Sequence, residues 1–382
     1  MNKTVKLGIE RIDEFKELFV NQRVGLITNP TGMDNNFKST IDILNEKTNL
    51  VALFSPEHGV RGNVEAGGVF DDFIDDKTGI MAYSLYNKDK KPSQKALDSL
   101  DMICIDIQDV GSRFYTFIYT MAYTMISCKE SCKKFVVFDR PNPMNALDYE
   151  GNILDLNCRS FIGYYPILQR HGLTIGELAK LFNEEYQIGC DLTVIKMENY
   201  ERDMYFEDTG CKWVLPSPNI PTSDICLYYN STCIFEGTNI SEGRGTTIPF
   251  KVIGATFINP YDLASKMNSM GFKGVYFRPL YYTPTTAKFE KQMCGGVELH
   301  ILDRKLFTPV KVGWALLDVI RNMYPNDFKI NPPYREGGNC MLNLNTGCKY
   351  ITENKYTLLE QFAIIDKDTI EFGKIRSKYL LY

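Results

Sequence analysis

Short apolar runs alternate with longer amphipathic stretches through the first half of this 382-residue chain, and no other feature constrains its fold as much. Residues 24–27, 50–54, 102–107 and 135–138 read as buried strands, because each is a brief, nearly uninterrupted run of branched, aromatic or sulfur-bearing side chains. Between them, residues 37–46, 93–100 and 115–129 carry helical spacing. Strand and helix repeated in this order form the βαβ pattern of an α/β fold with a mostly parallel sheet. A helix over 174–186 is signalled by Thr174 and Glu177, whose spacing is that of a capping box, and a strand over 191–196 follows. At roughly 150 residues per domain the length suits two domains. A Pro-rich stretch at 216–221 precedes a boundary placed near 228, giving a first domain over 1–228 and a smaller α+β domain over 229–382. The second contains strand candidates at 252–258, 274–278 and 297–302 and helices at 260–270 and 309–323. Pro260 and Pro309 suit the first helical position, with Asn259 and Thr308 as caps.

The strands share a second property: each ends in a loop unusually rich in glycine, proline and charge. Thr28-Asn29-Pro30-Thr31-Gly32 follows the first, SPEHGVRG from Ser55 the second, QDVGSRFYT from Gln108 the third and DRPNP from Asp139 the fourth. Ligands of open α/β sheets bind beyond the carboxyl ends of the strands, so these loops are expected to converge on one site. In the second loop Glu57, His58 and Arg61 could combine proton transfer with anion binding, or pair among themselves as a surface turn. In the third, Asp106 alternates with Ile105 and Ile107 and is expected to point into the crevice. Asp109 lies beside Arg113 and Tyr115, which could bind a carboxylate and stack on a ring, unless an Asp and an Arg simply brace the loop by a salt bridge. A later glycine-rich loop, Phe235 to Thr247, carries Glu236, Asn239, Glu242 and Arg244 and could close over a site or simply connect two elements.

Composition excludes several function classes. With 43 Lys and Arg against 47 Asp and Glu, the chain has no general attraction for phosphate backbones or anionic lipid, so no nucleic-acid partner is expected. The uncharged run 114–128 is too short and too rich in Thr and Tyr to span a bilayer, so no membrane insertion is expected. Eleven scattered cysteines suit reduced thiols, and Cys128 and Cys132 lack a second pair of zinc-type spacing. Only three histidines occur, His58, His171 and His300, without an HExxH, so no metal centre is expected. Neither a phosphate-cradling loop nor a GxGxxG opens a helix, and no nucleotide cofactor is expected. The first ten residues contain no secretory apolar stretch, which points to the cytoplasm unless a leader has been removed.

Taken in order, SPEHGVRG, DIQDVGSRFYT, DRPNP, RHGLTIGELA, WVLPSPNIPT and FEGTNISEGRGTTIPF resemble the NamZ-type exo-β-N-acetylmuramidases from about residue 24 to 300, with looser similarity beyond. The resemblance implies a glycoside hydrolase that removes terminal N-acetylmuramic acid from the non-reducing end of peptidoglycan fragments. It implies a Rossmann-like amino-terminal domain, a smaller carboxyl-terminal domain and a cleft between them. The glutamate of the PEHG motif, the family's proposed catalytic acid, falls on Glu57. Glycoside hydrolysis also needs a second carboxylate, for which Asp109, Glu236 and Glu242 are candidates. Arg61, Arg113 and Arg244 are candidates for the lactyl carboxylate of the substrate, and Asn142, Asn219 and Asn239 for its hydroxyl and acetamido groups. His58, His171, His300 and Tyr115 complete the expected substrate-contacting set. No cofactor is implied, the partners are muramyl saccharides, and no oligomeric state follows. Most family members carry an export signal, from which this chain departs. A non-catalytic peptidoglycan-sugar binding protein and a metal-dependent hydrolase using His58 are the competing readings.

Overall fold

The expected strands assemble into one seven-stranded sheet in a computed structural model that describes residues 4–56, 59–62, 71–85 and 90–382. In chain order the strands are β1 (Arg23–Thr28), β2 (Asn49–Ser55), β3 (Phe73–Ile74), β4 (Met81–Ser84), β5 (Met102–Asp106) and β6 (Lys134–Phe138). A separate antiparallel pair, β7 (Glu150–Ile153) and β8 (Leu168–Arg170), precedes β9 (Asp191–Ile195). The sheet order is β3-β4-β2-β1-β5-β6-β9, and every pairing except β3 with β4 is parallel. The chain thus runs outward from β1 in one direction through β2 and β4, then returns to lay β5, β6 and β9 on the other side. Such a reversal leaves a crevice at the strand ends beside β1.

Alternation along each strand feeds two apolar layers. Val24, Leu26, Leu53, Met102, Cys104, Val136 and Phe138 face one layer, closed by the helical turns Gly8–Phe19 and by α1 (Thr40–Lys47). Ile27, Phe54, Ile103, Ile105, Phe135 and Val137 face the other, closed by α2 (Gln94–Asp98), α3 (Phe117–Glu130) and α4 (Ile175–Glu184). Burial on that scale supplies about 1.5–3 kcal/mol for each large side chain. The anticipated capping box is present: Thr174 Oγ1 accepts the Glu177 amide at 3.2 Å and Glu177 accepts the Thr174 amide at 3.0 Å.

Residue 228 lies inside α5 (Ile225–Thr232), which packs on α7 (Pro309–Met323) of the second unit. That unit also contains β10 (Val252–Ala255), α6 (Pro260–Ser269), β11 (Val275–Tyr282) and β12 (Cys294–Ile301), with the strands ordered β10-β12-β11 and antiparallel. Three expectations need correction. The strand beginning at Val252 ends at Ala255, because the chain turns there towards the Asn259 cap of α6. The next strand runs on to Tyr282 despite Pro279, since β11 is an edge strand and a missing N–H costs it no ladder bond there. Thr308 does not cap α7. Glu150, from β7, takes that place by accepting the amides of Val310 and Lys311 at 3.2 and 2.9 Å. The chain closes with α8 (Met341–Thr346) and α9 (Leu358–Arg376), the latter lying against β7. The two units share one apolar layer, in which Phe54 and Ile105 belong to the same cluster as Phe250, Trp314 and Phe372.

Candidate active site

The crevice floor is built at the carboxyl ends of β1, β5 and β6. Thr28 and Asp106 stand opposite each other in the ladder, and Thr28 Oγ1 donates to the Asp106 carbonyl at 2.9 Å. Contrary to expectation, Asp106 does not open into the crevice. Its carboxylate is fully buried, clamped by Arg140 Nε at 2.5 Å and Nη2 at 2.8 Å, and takes the Thr40 hydroxyl as well. Arg140, unremarked in the sequence, therefore ties β6 to β5. Burial is the largest influence and would lower its pKa, but the charge and the hydrogen bonds of Asp106 together hold it raised.

Asp109, Asn142 and His171 meet as one knot. Gln108 locks the loop by donating from Nε2 to the carbonyls of Asp109 and Pro141, each at 2.8 Å. Asn142 accepts the Met144 amide and donates to the Leu173 carbonyl, which places it against the turn carrying His171. His171 is completely buried, with Nε2 3.3 Å from Asp109 Oδ2. Asn142 thus braces two loops with both ends of its amide, in place of the exposed ligand role expected of it.

Arg113 departs furthest from expectation. It is 0% exposed and points away from the crevice. Its Nη1 donates to the carbonyls of Asn152 (2.7 Å) and Ile167 (3.0 Å), and its Nη2 to the carbonyl of Thr346 at the end of α8 (2.7 Å). Gly347 makes room for it: a Cβ there would stand 2.5 Å from Nη2. The residue is a strut between the two units, and desolvation lowers its pKa.

Arg61 is likewise engaged, with Nε and Nη2 on Asp75 at 2.5 and 2.9 Å. That guanidinium holds the Asp75 carboxyl at about 2. Glu57 and His58 lie outside the described residues, between Pro56 and Gly59, and directly follow β2 in the chain.

The glycine-rich loop reaches the same region through an aromatic relay. Tyr115 stands edge-on to Tyr229 at 5.8 Å, Tyr229 to Phe250 at 4.9 Å, and the Arg244 guanidinium lies 5.0 Å over Phe250. Arg244 bonds Glu236 and lies 3.4 Å from Glu242, which Lys288 holds from its other side at 2.9 Å. The two carboxylates raise the Arg244 pKa against its desolvation. Lys288 also donates to the carbonyls of Phe235 and Ile240, at 2.8 and 2.9 Å, and so fastens this loop to the segment after β11. Tyr229 and Lys288 carry no local motif, and only the fold reveals them.

Three expected residues stand apart. Asn239 is spent pinning its loop, donating to the Asp327 carbonyl and accepting the Lys329 amide, both at 2.8 Å. Asn219 is half-buried in the turn that the Ile220 amide closes on the Ser217 carbonyl. His300 lies on β12 opposite Tyr276, 3.3 Å from Glu298 of its own strand, and joins none of the other candidates. Among the described residues no group of three or more His, Cys, Asp or Glu side chains could hold a metal ion, and no helix is long and apolar enough to cross a membrane.

Comparison with known proteins covers nearly the whole chain. Residues 24–224 match the family described as exo-beta-N-acetylmuramidase NamZ, N-terminal, and residues 227–382 match its C-terminal counterpart. The peptidoglycan beta-N-acetylmuramidase NamZ of Bacillus subtilis (strain 168) is 46% identical over 381 residues, which is 99% of this chain and 91% of that one. Two crystal structures of DUF1343 family proteins from Bacteroides fragilis NCTC 9343 superpose throughout. One is 36% identical with a TM-score of 0.90, covering 99% of both chains. The other is 33% identical with a TM-score of 0.80, covering 100% of this chain and 99% of that one.

Proposed function

Since the chain belongs to the NamZ family of exo-β-N-acetylmuramidases, we propose that it releases terminal N-acetylmuramic acid from the non-reducing end of peptidoglycan fragments, with Glu57 as the acid. It is a glycosidase, and the observation that carries this reading is 46% identity to a peptidoglycan β-N-acetylmuramidase across 99% of the chain.

The reaction needs a protonated carboxyl to protonate the leaving oxygen and groups that bear the charge of an oxocarbenium-like transition state. A neighbouring guanidinium would hold such a carboxyl ionised. Arg61 is the nearest in sequence to Glu57, and Asp75 already neutralises it. Of the three arginines considered for the lactyl carboxylate, Arg113 is buried among carbonyls and Arg61 is clamped by one carboxylate. Arg244 is exposed to the same extent as Arg61, about a third, and is the one assigned to that group because the ring contacts through Phe250 and Tyr229 join it to Tyr115 of the third loop.

The test is cleavage of a chromogenic β-N-acetylmuramide beside the matching N-acetylglucosaminide, with and without chelator. Turnover of the muramide alone, unaffected by chelator, and its abolition in a folded Glu57→Gln variant are expected. Equal turnover of both sugars, or binding without turnover, would overturn the activity. Full activity in Glu57→Gln would remove that residue from the acid role.

A further inference from the structure

Asp109 differs from Asp106, Glu236 and Glu242, the other carboxylates singled out in the sequence. Arg140 neutralises Asp106, and Arg244 and Lys288 neutralise Glu236 and Glu242. No lysine or arginine among the described residues pairs with Asp109, although its side chain is only 7% exposed. Oδ2 accepts the Gly111 amide at 2.7 Å, which fixes the carboxylate in a tight turn. Oδ1 is buried with no hydrogen-bond partner, and so is Nε2 of His171, even though Nε2 stands 3.3 Å from Oδ2. On the other side of the ring, Nδ1 accepts the Leu173 amide at 3.2 Å, so the imidazole proton resides on Nε2 and points at Asp109. A buried carboxylate oxygen and a buried ring nitrogen left unpaired on adjoining side chains are costly, and such atoms recur where hydrogen bonds tighten only in the reacting complex.

We propose that Asp109, positioned by His171, supplies the negative charge at the crevice floor that stabilises the oxocarbenium-like transition state. The inference rests on the hydrolase reading above. Asp109 acts by its charge, since Oδ1 is closed to water, and His171 is a positioning residue that keeps the carboxylate oriented.

The two ends of the imidazole can be separated by substitution. Glutamine at 171 returns a donor near Nε2, whereas asparagine returns an acceptor near Nδ1 for the Leu173 amide. His171→Gln is therefore expected to retain more kcat than His171→Asn, and His171→Asn to retain the higher melting temperature. Asp109→Asn, which keeps the shape and removes the charge, is expected to lower kcat on the chromogenic muramide by roughly 100-fold with little change in KM. An inactive parent protein overturns the hydrolase reading and this inference with it. An active parent whose folded Asp109→Asn variant keeps kcat within about twofold overturns this inference alone. Should Asp109→Asn not fold, equal kcat in the two His171 variants overturns it.

Discussion

Replacing Arg113 by methionine tests whether this residue is a strut or a ligand. Methionine fills the volume of the aliphatic stem and removes all the donors. The native guanidinium makes three short bonds, to the carbonyls of Asn152, Ile167 and Thr346 at 2.7, 3.0 and 2.7 Å. Hydrogen bonds to a charged group contribute roughly 1.5 kcal/mol or more apiece, and the orphaned carbonyls stay buried, so the loss should be about 3–5 kcal/mol. Against a native stability of about 5–15 kcal/mol this is a large fraction. Urea unfolding followed by circular dichroism should show a lower midpoint with an unchanged slope. Arg113→Lys, which keeps the charge and loses the planar fork, should fall between the two. A methionine variant within about 1 kcal/mol of the parent, with a raised KM, would refute the strut and restore Arg113 as a substrate ligand.

Burial, and then the Glu177 charge, pushes the Asp139 carboxyl up to about 7 from its ordinary 3.8. Its contribution to stability is fully present below 3.8 and is lost as pH rises through about 7. Asp139→Asn should remove that slope, so unfolding midpoints of parent and variant compared at about pH 5 and about pH 8 should diverge in the parent alone. Arg244→Gln should lower kcat/KM on the chromogenic muramide by roughly 10- to 100-fold, chiefly through KM, and an unchanged KM would detach Arg244 from the lactyl carboxylate.

Much of the fold was legible because it rests on local rules. Short, nearly uninterrupted apolar runs mark β1, β2, β5 and β6, and the Thr174–Glu177 capping box announces α4. What stayed hidden depends on distance along the chain or on direction in space. Asp106 and Arg140 meet across 34 positions, and Glu150 caps a helix that begins 159 residues later in the chain's own numbering, at Pro309. A charge at a strand end looks the same whether its side chain faces the crevice or dives beneath it, which is why Arg113 and Arg61 read as ligands. The helix α9 escaped notice because only Gln361, Ile365, Phe372 and Arg376 of its residues are buried, a stripe too thin to stand out among its charges.

Among the described residues the apolar cluster common to both units, with Arg113 reaching from one unit to α8 of the other, ties the two walls of the crevice together. Swinging its walls apart would drag Phe250 and Trp314 away from Phe54 and Ile105 and expose them to water. Small-angle scattering with and without a muramyl sugar should therefore give the same radius of gyration, and a marked contraction would contradict this rigidity. An unchanged radius would make the molecule a gauge and not a jaw, with the fit of a sugar terminus decided when the chain folds.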